Sequence, residues 1–216
     1  MKNFLIKFVL ILALFIVIRP VSANVSLVVL GDSLSAGYGM AQSESWVGIL
    51  QQRWQQSQPQ ITLVNASISG DTTQGALNRL DGVIERHQPT VVFVELGGND
   101  GLRGFTPNTI SDNLTQIIER LQQQDIVVAL SQVRIPPNYG PRYSEMFAEV
   151  FPQLAEQHQI TLVPFFMEQI IGDDSLMQGD GIHPNRAAQP MIADIMEPHL
   201  LALLEQVTIA KIEGKE

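Results

Sequence analysis

Five short runs of apolar, β-branched residues confine this chain to a parallel sheet covered on both faces. They lie at 26–30, 61–64, 91–96, 126–130 and 161–163 with a short extension. Their near-continuous apolar character differs from the alternation of a strand with one wetted face. Between and after them lie stretches with helical spacing at 46–55, 72–85, 108–123, 144–158 and 187–206. Strands that lack a polar face and alternate with helices predict a three-layer α/β/α sandwich around a five-stranded parallel sheet. Asp71 and Asn185 are N-cap residue types at the expected starts of two helices. In such an open sheet, ligands bind beyond the carboxyl ends of the strands, where strand order reverses.

The 216 residues contain no linker, charge block or internal repeat, which predicts one domain over 24–207 with a polar tail at 208–216. Residues 1–23 read as a secretory signal peptide. Lys2 and Lys7 precede an apolar stretch at 8–18, and Val21-Ser22-Ala23 supplies small residues for cleavage after Ala23. That stretch is shorter than the roughly 20 apolar residues of a spanning helix, and Arg19 interrupts its continuation. The expectation is export to the periplasm or beyond, as a monomer with no stable membrane insertion after cleavage. Cysteine is absent, which excludes disulfides, a thiolate nucleophile and a cysteine zinc site. The net charge is −9, and losing Lys2, Lys7 and Arg19 with the leader leaves 10 basic against 22 acidic residues, a net −12. Such a surface is a poor match for nucleic acid or anionic lipid.

Three motifs carry chemistry. Gly31-Asp32-Ser33-Leu34-Ser35 follows the first run, Gly97-Gly98-Asn99-Asp100 follows the third, and Asp180-Gly181-Ile182-His183-Pro184 precedes the last helix. A hydroxyl becomes a nucleophile beside a base, the base needs a group that orients it, and a developing oxyanion needs donors. Asp180 and His183 are separated by two residues, so one turn brings carboxylate and imidazole together. Alone, each motif reads more simply as turn chemistry. Asp32 and Asp100 read as braces for their own turns. His87, His158 and His199 read as surface residues without metal-ligand spacing, and Asp173, Asp174 and Asp180 lack the spacing of a calcium loop.

These blocks, in this order, resemble the GDSL or SGNH family of esterases and lipases. The likeness extends through Asn65-Ala66-Ser67-Ile68-Ser69-Gly70-Asp71-Thr72, through 94–105, and through Pro164-Phe165-Phe166-Met167-Glu168. It departs at Gly179, where the family pattern leads one to expect an acidic neighbour for Asp180. The resemblance implies a flavodoxin-like strand order 2-1-3-4-5 and a catalytic triad of Ser33, Asp180 and His183. It implies an oxyanion hole made by Ser33, Gly70 and Asn99; the Asn99 side chain is a neutral amide donor, which stabilises negative charge without pairing permanently to a carboxylate. The implied activity is hydrolysis of small acyl esters and thioesters, as an acyl-CoA thioesterase, lysophospholipase or arylesterase, through an acyl-serine intermediate. No cofactor and no metal is expected. The loops at 101–105 and 135–141 are expected to shape the acyl site, with Leu102, Phe105, Ile135 and Tyr139 as its wall. A carbohydrate O-deacetylase on the same machinery and a noncatalytic lipid- or glycan-binding module remain open alternatives. A nucleotide or flavin binder is disfavoured by the lack of a glycine-rich phosphate loop.

Overall fold

The five runs pair into one sheet. In the computed structural model, which describes residues 25–213, the strands are β1 (Val25–Gly31), β2 (Ile61–Asn65), β3 (Val91–Glu95), β4 (Val127–Ser131) and β5 (Thr161–Val163). All neighbours are parallel and the order is β2-β1-β3-β4-β5, as expected. The chain steps from β1 to β2 on one side and returns to β3 on the other. The strand ends at Gly31 and Glu95 therefore lie in register across this reversal. The segment assigned to a leader, 1–23, lies outside the described residues.

Helices cover both faces, which explains why the central strands have no polar side. Helices α2 (Trp46–Ser57) and α7 (Gln189–Glu213) pack together on one face. On the other, α5 (Pro107–Gln122) packs between α3 (Thr73–His87) and α6 (Pro141–His158). Two short helices, α1 (Ser33–Ala36) and α4 (Gly98–Leu102), stand at the carboxyl edge. Leu27 to Leu30 and Val91 to Val94 are all fully withdrawn from water. Each such side chain contributes about 1.5–3 kcal/mol relative to an exposed one. Trp46 packs on Phe93 and Phe166 across the α2 face. Its backbone N–H donates to the buried side-chain oxygen of Gln189, joining the starts of α2 and α7 at 2.9 Å.

Helix starts differ from the sequence reading in ways that capping explains. Thr72, not Asp71, caps α3, its hydroxyl accepting from the Gly75 N–H at 3.1 Å. Asp71 instead accepts from the Thr72 N–H and from Arg79. Asn185 accepts from the Ala187 and Ala188 N–H groups in the turn that feeds α7. Helix α6 starts earlier than expected, at Pro141, whose fixed φ suits a first helical position. Helix α7 continues to Glu213, into the segment read as a polar tail. Among the described residues, no helix is long and apolar enough to cross a membrane.

Candidate active site

Ser33 sits where β1 turns sharply into α1. That turn demands glycine at position 31, because an added Cβ would meet a Glu95 carboxylate oxygen at 2.8 Å and the Ser67 hydroxyl at 2.9 Å. The Asp32 side chain caps α1 by accepting from the Leu34 N–H at 3.1 Å, so it does brace its own turn. Behind the turn, the carboxyl of Glu95 accepts from the Ser35 hydroxyl at 2.8 Å. Both Asp32 and Glu95 are buried.

The base arrives from the opposite end of the chain. His183 Nε2 lies 2.9 Å from Ser33 Oγ, and His183 Nδ1 lies 2.7 Å from Asp180 Oδ2. Asp180 Oδ1 accepts from the backbone N–H groups of Ile182 and His183, so one carboxylate shapes the turn and orients the ring. Burial pushes the Asp180 carboxyl up, but these N–H donors and the His183 ring outweigh it and bring it down to about 2. The carboxylate therefore stays charged at any pH near neutral. Gln178 registers this loop on the nucleophile's loop by donating to the carbonyls of Tyr38 and Pro184. The ring of Tyr38 lies over His183 with centroids 4.2 Å apart, a contact the sequence reading missed. Gly179 stands in open space, and the triad is assembled without an acidic residue there.

Gly70 and Asn99 come to the same edge from β2 and β3. The Gly70 loop continues beside β1, with the Ile68 N–H donating to the Gly31 carbonyl at 3.1 Å. Gly70 has φ +81°, a conformation glycine adopts freely, and nothing lies within 4 Å of the position a Cβ would take. Among the described residues, neither its N–H nor that of Ser33 donates to an acceptor. The Asn99 amide departs from expectation. Its Nδ2 donates to Asp32 Oδ2 at 3.1 Å, so it is paired with a carboxylate. An amide nitrogen carries two hydrogens, and this bond fixes one while leaving the other to face a ligand.

A cleft of about 520 Å³ opens from Ser33 and His183. Of the four residues expected to form the acyl wall, Leu102 and Ile135 line this cleft; Phe105 and Tyr139 do not. The Tyr139 hydroxyl donates to the Leu102 carbonyl at 2.8 Å, so it braces the wall from behind. The Phe105 carbonyl accepts from the Tyr143 hydroxyl, and the Phe105 ring is partly exposed outside the cleft. Val133, Phe165, Met167 and Ile171 add to the apolar wall. Their signal in the sequence was position alone, just beyond β4 and β5. His87, His158 and His199 are half-buried rather than on the surface. Among the described residues, no group of three His, Cys, Asp or Glu side chains is arranged to hold a metal ion.

Asp32 makes stability depend on pH. Burial pushes its carboxyl from 3.8 up to about 6, against the Leu34 N–H and the Asn99 amide, which favour the charged form. Burial likewise pushes Glu95 well above the carboxylate range, and the neighbouring Asp32 adds to it. A carboxyl raised in the folded state binds its proton more tightly there than in the unfolded chain. Its stabilisation is complete below about 3.8 and is lost as pH rises through about 6. Asp32→Asn cannot ionise, so its melting temperature relative to the native chain should shift upward between pH 4 and pH 7. Equal differences at both pH values would contradict this account.

Known proteins resemble the chain in sequence and in fold. The chain matches the model of the GDSL-like Lipase/Acylhydrolase family over residues 29–189. It is 49% identical over 179 residues to thioesterase 1/protease 1/lysophospholipase L1 of Escherichia coli (strain K12), covering 83% of this chain and 85% of that one. It is 44% identical over 191 residues to the arylesterase of Vibrio mimicus, covering 88% and 96%. Among solved structures, the psychrotrophic esterase EstA from Pseudoalteromonas sp., inhibited by monoethylphosphonate, superposes with a TM-score of 0.81 at 47% identity. That alignment covers 83% of this chain and 98% of the esterase.

Proposed function

Because the chain belongs to the GDSL-like lipase/acylhydrolase family, we propose that it is a serine esterase that hydrolyses acyl esters and thioesters with Ser33, His183 and Asp180 as its triad. The observation that carries the proposal is the continuous hydrogen-bonded path from Asp180 through His183 to Ser33, at 2.7 and 2.9 Å, at the mouth of an apolar cleft. Ser33 Oγ attacks the acyl carbonyl carbon as His183 Nε2 takes its proton. The negative charge moves to the carbonyl oxygen, which accepts from the Ser33 N–H, the Gly70 N–H and the free hydrogen of the Asn99 amide. His183, held and stabilised by Asp180, returns the proton to the leaving alcohol or thiol, and acyl-Ser33 remains. Water then gives its proton to His183 and attacks the acyl carbon, releasing the free acid and restoring Ser33. Oxygen esters and thioesters share the tetrahedral intermediate, so one site serves both.

The apolar cleft favours a fatty acyl group over an acetylated sugar, and the assembled triad favours catalysis over passive binding. With the leader at 1–23 directing export, lysophospholipids become more accessible substrates than acyl-CoA. The acyl chain runs along Leu102, Ile135, Met167 and Ile171. Each covered methylene contributes about 0.8 kcal/mol. Ile135→Asn should therefore lower kcat/KM for long acyl esters by at least about 10-fold while sparing acetyl esters, which do not reach that wall. Phe105→Ser, outside the cleft, should leave the ratio unchanged. Equal losses on long and short esters in Ile135→Asn would show that the cleft does not hold the chain.

A further inference from the structure

The two oxyanion donors outside the Ser33 turn stand on separate segments, Gly70 in the loop before α3 and Asn99 in α4, and their spacing depends on something that joins the two. Asp100, next to Asn99, is completely buried. It turns away from its own helix toward Thr73, the first residue of α3, three positions after Gly70. Asp100 Oδ2 accepts from the Thr73 N–H at 2.9 Å, and Asp100 Oδ1 accepts from the Thr73 hydroxyl at 2.6 Å. Thr73 is itself completely buried, and its hydroxyl oxygen accepts in turn from Asn113 Nδ2 of α5 at 3.0 Å. A carboxylate at a helix N-terminus is favoured by the helix dipole, so the bond has direction as well as strength. Arg103, just after α4, donates to the Gly70 carbonyl at 3.1 Å. The far side of the Gly70 loop is tied to α3, where Arg79 donates to the Ala66 carbonyl and the Asp71 carboxylate.

We propose that Asp100 is a positioning residue which, through Thr73, sets the distance between the Gly70 N–H and the Asn99 amide and so fixes the width of the oxyanion hole. This rests on the assignment of Gly70 and Asn99 as oxyanion donors. The lock touches no substrate atom. It governs a geometry that matters as charge develops on the carbonyl oxygen, so it acts on kcat and leaves substrate binding alone.

The test uses the whole protein and an alkyl trifluoromethyl ketone, which adds Ser33 Oγ and forms a charged tetrahedral adduct. The free fatty acid of the same length serves as a planar comparison. Thr73→Val removes the hydroxyl and keeps the backbone bond. It should lower kcat and weaken ketone binding by a similar factor, roughly 10- to 100-fold, with KM and fatty-acid affinity within about threefold. Thr73→Ser, which keeps the hydroxyl, should restore both. Asp100→Asn, with an amide facing one of the two Thr73 donors, should repeat the Val pattern and carries the test if Thr73→Val does not fold. Unchanged kcat and ketone affinity in these variants, or a Ser variant as impaired as Val, would overturn the lock. If Asn99→Ala retains native kcat, the assignment beneath it fails; if Asn99→Ala is impaired while Thr73→Val is not, the lock alone fails.

Discussion

Ser33→Ala should lower turnover of every acyl substrate by at least about 10³-fold while the fold and melting temperature stay near native. Among the described residues at the mouth of the cleft, the Ser33 hydroxyl alone is hydrogen-bonded to an oriented imidazole. Removing one oxygen from the Ser33 side chain, which lines the cleft, leaves the Asp32 cap and the Glu95 contact in place. His183→Ala should cost a similar factor, and the double variant little more, because the two groups act as one unit. A fluorophosphonate should bond covalently to Ser33 in the native protein and fail to label Ser33→Ala. Native-like hydrolysis by a pure Ser33→Ala protein, or labelling at another residue, would end the proposed mechanism.

Asn99→Ala should lower kcat by roughly 10²–10³-fold with a small change in KM, as the loss of an oxyanion donor does. The pairing of this amide with Asp32 sharpens the expectation. One N–H held at 3.1 Å by a buried carboxylate fixes the amide plane before substrate arrives, so no energy is spent on orientation during the reaction. Removing the amide also leaves Asp32 Oδ2 without its donor inside the protein, so a stability loss should accompany the kinetic one. Asn99→Asp is the informative partner: it keeps the shape, replaces a donor with a charge facing Asp32, and should be at least as slow as alanine. A large rise in KM with native kcat in Asn99→Ala would make Asn99 a substrate-binding residue instead.

The sheet was readable because burial on both faces writes the same apolar pattern into each strand, and the numbered bounds of all five strands moved by no more than one residue. Helix starts were less legible, since Asp71 and Thr72 are both capping types and only the fold decides which hydroxyl or carboxylate reaches a free N–H. The triad was legible because Ser33, Asp180 and His183 lie in short motifs at the ends of elements. The bond between Asp32 and Asn99 was not, because 67 residues separate partners that strand order alone makes neighbours. The acyl wall fared worst. Side-chain direction in a loop follows no period, and tyrosine hydroxyls seeking the carbonyls of Leu102 and Phe105 turned Tyr139 away from the cleft and fixed the backbone that carries Phe105 outside it.

The hydrogen bond between Ser33 and His183 closes a loop of 150 residues. The nucleophile belongs to the first strand and its turn, whereas the base is carried by the last loop before α7, registered by Gln178 and anchored through Gln189 to the start of α2. No fragment of the chain shorter than this span holds both. On the proposed mechanism, full turnover therefore awaits the docking of the segment that carries His183 against the Ser33 turn. Recovery of esterase activity during refolding thereby reports that docking.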